Sequence, residues 1–121
     1  MKGFKPYIKT EIHVDASHLS PLNDGHGHES EFKERTRTHR GCDVDFSGEK
    51  VSFSGIGGLI EELTFVRFTV RDDEIGRDDL AAWACVRLDR LGQGYRFIHL
   101  MDDKGALTDG VVLVKVERIL T

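Results

Sequence analysis

Asp72, Asp73, Glu74, Asp78 and Asp79 place five carboxylates within eight positions of this chain. Like charges at that density repel one another, so a folded segment that carries them needs an offset. A bound cation, a basic partner or plain hydration can supply it. The chemistry open to such a cluster is ligation of a hard cation, since calcium takes about six to eight oxygen ligands in adjustable geometry. A second group has the opposite sign. Lys33, Arg35 and Arg37 alternate along one segment and so share a face, and Lys9 and His13 join them if the segment at 7–14 pairs alongside. Basic residues near an anionic bilayer contribute about 1 kcal/mol each. The commoner meaning of such a stripe is the polar outer side of an exposed strand.

Other chemistry is weakly supported. His26-Gly27-His28 offers two imidazoles with no evident third ligand. Cys42 and Cys85 lie far apart and share no metal-type spacing, so they read as free thiols of a reducing compartment. Cys85 falls inside a strand pattern and is expected to pack as a small apolar residue. No paired general acid and base is evident, and no catalytic residue is assigned.

The elements that must position these groups are strands. Period-two alternation is common and helical periodicity scarce. In 7–14, Ile8, Thr10, Ile12 and Val14 oppose Lys9, Glu11 and His13. In 32–38, Phe32, Thr36 and Thr38 oppose the basic residues, with Glu34 interrupting the inner side. Val51 and Phe53 mark a short third strand. Residues 63–70 are apolar on both faces apart from Arg67 and the threonines, as in a central strand. Strands are also expected over 81–88, 94–100 and 111–116. Seven short strands separated by turn signals predict a β-sandwich. Ser17–Ser30, with Pro21, two glycines and little apolar content, reads as a long loop. Residues 56–62 fit one helical turn or a wide loop. Trp83 is expected at the core or rim, and Tyr95, Phe97 and His99 as packing residues on one face. Ile75, between the two acidic groups, suits insertion into a bilayer.

Bulk properties bound the reading. The chain has 121 residues, 39% hydrophobic and 31% charged, with net charge −4. That describes a single folded domain over 1–121. It gives no global basic character for nucleic acid. No apolar run approaches the ~20 residues that span a bilayer as a helix, and the start has no signal-peptide pattern.

Phe65-Val66-Arg67-Phe68-Thr69-Val70-Arg71-Asp72-Asp73-Glu74, Asp78-Asp79-Leu80, Gly94-Tyr95-Arg96-Phe97-Ile98-His99-Leu100 and Val112-Leu113-Val114-Lys115-Val116 together resemble a C2 domain. More narrowly they resemble the C2 domain of eukaryotic phosphoinositide-specific phospholipase C, with a fungal flavour in 72–84. Lys5–His13 is similar to that family's second strand. The resemblance is collinear over nearly the whole chain, with 17–30 as an insertion.

It implies an all-β fold, a C2-type antiparallel β-sandwich of Greek-key topology, with about seven of eight strands present and the first strand lacking. It also implies calcium at one rim. Asp72 and Asp79 match the third loop's ligand positions, with Asp78 beside the latter. Glu74 stands where the family has aspartate. Asp43 and Asp45 of the middle loop are further candidate ligands. Lys5 replaces an expected first-loop aspartate and could pair with Asp72 or Asp79 in the metal's stead.

The function implied is that of a peripheral phospholipid-binding module. It would dock a parent phosphoric diester hydrolase, which supplies the catalytic barrel, on anionic membrane at the inner leaflet of the cytoplasmic side. Lys9, Lys33, Arg35, Arg37 and Ile75 would be its lipid contacts. The competing expectation is a calcium-independent interaction or scaffold sandwich that packs on neighbouring domains. A sandwich without its first strand is further expected to leave an unpaired edge, open to dimerisation by strand pairing.

Overall fold

The computed structural model describes residues 3–14, 32–53, 61–74 and 77–118, the side chains of Glu61, Glu74, Arg77 and Asp78 excepted. The chain is all-β. Six strands form one antiparallel sheet: β1 (Pro6–His13), β2 (Lys33–Arg35), β3 (Phe65–Glu74), β4 (Arg77–Arg87), β5 (Gly94–Met101) and β6 (Leu107–Val116). Their order is β2-β1-β3-β4-β5-β6. Two short 3-10 turns, Glu61–Leu63 and Leu88–Arg90, are the only helical pieces among the described residues.

Alternation explains why the sheet folds into two layers. The even-numbered residues of β1 and β3 face inward: Ile8 and Thr10 lie opposite Val70 and Phe68 in register, and all four are buried. Phe68 faces Ala84 across to β4. β4 and β5 meet in register only at Trp83↔Met101, so the sheet is continuous there at one corner. The β5–β6 hairpin thereby turns its own inner face, Ile98 and Leu100, onto the same cluster as Ile8, Val66, Phe68, Val70 and Ala84. Val112, Val114 and Val116 of β6 pack against that cluster as partly buried neighbours. Burying one apolar face of each layer against the other is the driving force of a sandwich.

Three local details bear on the site. β3 and β4 shift register between Val70 and Arg71, where Val70 pairs Ala82 but Arg71 pairs Leu80, leaving Ala81 as an extra residue. Such a bulge re-aims the strand ends beyond it. β2 is short, yet its pairing with β1 is prolonged by backbone bonds from Thr36 N to Ile8 O (2.9 Å), His39 N to Pro6 O (2.8 Å) and Gly41 N to Phe4 O (3.0 Å). The β5–β6 turn is held by Asp102, whose Oδ1 accepts from the amides of Lys104 and Ala106 (both 2.9 Å), with Gly105 at φ 83°.

Several expectations are corrected. No strand forms over Val51–Phe53. β2 is shorter than 32–38, whereas β3, β4 and β6 are longer than expected. Cys85 is exposed rather than packed. Tyr95 and Phe97 share a face as expected, but it points outward, leaving them 68% and 67% exposed. Of 56–62, only Glu61 and Glu62 are described, in a 3-10 turn; the loop at 17–30 and Ile75 lie outside the described residues.

Candidate functional site

The acidic group is not a loop. Asp72 and Asp73 directly precede Glu74, the last residue of β3, and Asp78 and Asp79 are the second and third of β4. In register, Asp72 lies opposite Asp79, Asp73 opposite Asp78 and Glu74 opposite Arg77. Only two residues then separate the strands, the length of the commonest hairpin connection. Directly opposed residues of an antiparallel pair share a face, so Asp72 and Asp79 stand together on one side of the hairpin tip. Among the described residues no three His, Cys, Asp or Glu side chains converge as a metal-binding group. The described part of the tip thus offers a facing carboxylate pair, fewer donors than a tight calcium site uses. Asp43 and Asp45 are exposed and sit in the bend after β2's extension.

The offset for this charge is partly internal. Asp72 Oδ1 accepts from the backbone N–H of Lys5 (2.9 Å), and Lys5 O in turn accepts from Asp73 N (2.8 Å). Lys5 therefore meets Asp72 through its main chain. Asp73 Oδ2 accepts from the Thr38 hydroxyl (2.7 Å) and lies 3.9 Å from the Arg35 guanidinium. Arg35 also donates to Thr38 Oγ1 (2.9 Å) and stacks over the Tyr7 ring at 3.6 Å from its centroid. This chain of contacts ties the acidic tip to the basic segment, a connection between distant positions that no spacing in the sequence announces.

The basic residues belong to a wider surface. Lys9 pairs Arg35 on one side and Thr69 on the other, and Glu11 pairs Lys33 and Arg67. Across β3, Thr69 pairs Trp83, Arg67 pairs Cys85 and Arg71 pairs Leu80. The outer face of the β1–β4 layer therefore collects Lys9, Lys33, Arg35, Arg67 and Arg71 around a buried Tyr7, 4% exposed, and a half-buried Trp83. Glu11 is its buried acid, 8% exposed, with Lys33 Nζ and His13 Nε2 each 3.7 Å from its carboxylate. Thr69, 2% exposed, is the floor between Lys9 and Trp83. The Arg67 guanidinium sits 5.3 Å from the Trp83 ring centroid, a cation–π distance. Its Nε is buried with no hydrogen-bond partner among the described residues. Trp83 is fixed in turn by donating from Nε1 to Asp102 O (2.8 Å).

The four expected lipid-contact cations are not equivalent. Lys33 is engaged by Glu11, Arg35 by Asp73 and Tyr7, and Arg37 by Glu49 at 3.8 Å. Glu49 is itself a small hub. It accepts from Arg37 N (2.8 Å) and meets His39 Nε2 at 2.5 Å, and these contacts hold its carboxyl below the ordinary glutamate range, Arg37's backbone bond foremost. The Cys85 thiol is pushed up by partial burial, against an opposing pull from the Arg67 guanidinium. Arg67, Arg71 and Trp83 were not among the expected site residues. Arg67 interrupts an otherwise apolar strand, and that interruption was the available signal.

The second unusual surface is apolar. On the outer side of the β5–β6 hairpin Phe97 pairs Leu113, Tyr95 pairs Lys115 and His99 pairs Val111. Leu113, Val111 and Leu107 are 54%, 45% and 76% exposed.

No protein-family model matches the chain, and a search of curated proteins finds no match either. No helix among the described residues is long and apolar enough to cross a membrane.

Proposed function

We propose that this chain is a C2-type phospholipid-binding module whose membrane-facing surface is the outer side of the β1–β4 layer. The observation that carries the reading is the convergence of Lys9, Lys33, Arg35, Arg67 and Arg71 from three strands around Tyr7 and, on a fourth strand, Trp83. Cations held over aromatic rings beside an unsatisfied guanidinium nitrogen suit a phosphate-rich, partly apolar surface. The C2 resemblance of the sequence supports the same reading, and with it the role of docking a phosphoinositide-specific phospholipase C at the inner leaflet.

Calcium is a modulator in this proposal. Asp72 and Asp79 would hold it, with Glu74, Asp78 and Asp43 as candidate additional donors, and the ion would relieve their repulsion and bridge to lipid phosphate. The donor set favours weak binding, in the range of about 0.1–1 mM.

The second reading, a module that packs on a neighbouring protein domain, is favoured by one observation: the exposed Tyr95, Phe97, Val111 and Leu113. Vesicle sedimentation separates the two. Retention on phosphatidylserine vesicles but not on phosphatidylcholine vesicles, weakened by salt and strengthened by millimolar calcium, is the expected result. Absence of binding to the anionic vesicles with and without calcium removes the membrane reading and leaves the packing one.

A further inference from the structure

Among the described residues β6 ends the sheet, and it is ten residues long. Sheet edges of that length are usually blunted by charges, proline or a covering segment, because their free N–H and C=O groups template further pairing. Here the middle of the edge strand is Val111-Val112-Leu113-Val114, with no charge and no proline. The charges lie at its two ends, Asp109 on one side and Lys115 on the other.

That arrangement is self-complementary. If a second β6 runs antiparallel to the first with Val112 opposite Val112, position i meets position 224 − i. Asp109 then faces the other copy's Lys115, and Lys115 faces its Asp109. Val111 and Leu113, exposed in one chain, face Leu113 and Val111 of the other. The alternative centred on Leu113 sets Asp109 against Glu117, a like-charge pair at each end. The alternative centred on Val114 sets the apolar Leu113 against Lys115 and Val111 against Glu117. The first register sets Leu107 against Glu117 beyond the strand's end, but of the three it alone joins opposite charges and apolar residues across the middle of the edge, and opposed cross-strand pairs of these kinds are the unit of sheet stabilisation. Phe97 and Tyr95, next to Leu113 and Lys115 on β5, extend the apolar strip in each copy.

We infer that the β6 edge is a docking surface for a second copy of this chain, forming a two-fold symmetric dimer in which the two β5–β6 hairpins become one four-stranded layer. An isologous pairing of this kind closes on itself and stops at two copies. The inference does not depend on lipid binding, since it uses neither the β1–β4 face nor the acidic tip.

Sedimentation equilibrium of the full chain over a wide concentration range tests it, with variants chosen from exposed side chains. The wild type is expected to dimerise reversibly. Asp109→Lys places like charges opposite one another at both ends and is expected to weaken the dimer about tenfold. Lys115→Asp alone does the same, and the double variant Asp109→Lys, Lys115→Asp restores the opposed pairs and the dimer. Circular dichroism of each variant checks that the fold is retained, so that weakening is read at the interface. A wild type that stays monomeric at every concentration overturns the inference. So does a dimer indifferent to the single charge changes, or an assembly that grows beyond two copies.

Discussion

Replacing Asp79 by asparagine tests the tension at the hairpin tip. Asp72 and Asp79 are directly opposed, and opposed side chains on one face stand about 5 Å apart at Cβ. Two unit charges at about 5 Å repel by about 0.8 kcal/mol in bulk water, and by more where the protein displaces solvent. Measured like-charge cross-strand pairs fall at or below about 1 kcal/mol, so about 0.5–1 kcal/mol is a fair expectation. Unfolding entropy scales to about 0.25 kcal/mol per kelvin for a chain of this length. Asp79→Asn, which keeps the shape and removes the charge, should therefore raise Tm by about 2–4 °C in a calcium-free buffer containing EDTA.

Calcium should reverse the order. At a free concentration about tenfold above Kd, a ligand adds about 1.4 kcal/mol to the folded state, or about 5–6 °C here. The wild type should gain that in about 10 mM calcium chloride, and Asp79→Asn should gain little, since one of its two facing carboxylates is gone. Differential scanning calorimetry with and without calcium reads both numbers. A variant less stable than the wild type in EDTA would refute the repulsion argument. A wild type whose Tm ignores calcium would refute the ion site while leaving the repulsion argument standing.

Other consequences can be checked in parallel. On anionic vesicles at about 0.1 M salt, Lys9→Gln should lower partitioning about fivefold, as expected for about 1 kcal/mol. Arg37→Gln should lower it least, because Glu49 already engages Arg37; equal losses would show that the ion pairs in the stripe do not matter. Glu49→Gln should lower Tm at neutral pH. A carboxyl whose folded pKa lies below its unfolded value stabilises above the ordinary 4.5 and loses that contribution as pH falls through the folded value. The gap between the two proteins should accordingly close in acid below pH 4.5, and a gap that persists there would point to shape rather than charge. Cys85 should react with a maleimide more slowly than a small free thiol near pH 8, because its thiol, though on an exposed residue, is partly desolvated by its neighbours, which raises its pKa. Phe68→Ala, at the centre of the shared core, should cost about 3–5 kcal/mol in chemical denaturation; a loss under about 1 kcal/mol would mean that the two layers do not pack through it.

What the sequence discloses follows from where burial is one-sided. β1 alternates in sequence, so Ile8 and Thr10 could be assigned inward before any fold was known, although Tyr7 and Glu11 on its other face are buried too, and β3 announced itself by its apolar run. β5 and β6 are different. Tyr95 and Phe97 are as apolar as Ile98 and Leu100, and Val111 and Leu113 as apolar as Val112 and Val114. Alternation separates two such faces without saying which is covered, and on β5 the wrong one was expected to pack. The acidic tip was legible as a cluster but not as paired strand ends, because Asp, Glu and Arg carry no strand signal and the pairing is inherited from the β3–β4 ladder. The wider basic face depended on register between 7–13 and 65–71, a long-range property that local pattern does not encode. Cys85 went astray for a related reason: the register of β4 decides its side of the sheet.

The charged and apolar surfaces need not compete. The β1–β4 layer and the β5–β6 hairpin pack their inner faces on one cluster, so their outer faces look away from each other across the sandwich. Packed sheets lie about 10 Å apart, and the outward side chains lengthen that separation beyond a Debye length of about 8 Å at physiological salt. Charge changes at Asp109 and Lys115 should thus leave vesicle affinity per chain unaltered, and removing Lys9 should leave dimerisation unaltered. A bilayer covering the basic face would still leave Tyr95, Phe97 and the β6 edge exposed to protein. Lipid binding and protein docking are then separable properties of opposite faces, and one double-variant comparison of the two assays decides whether they are independent.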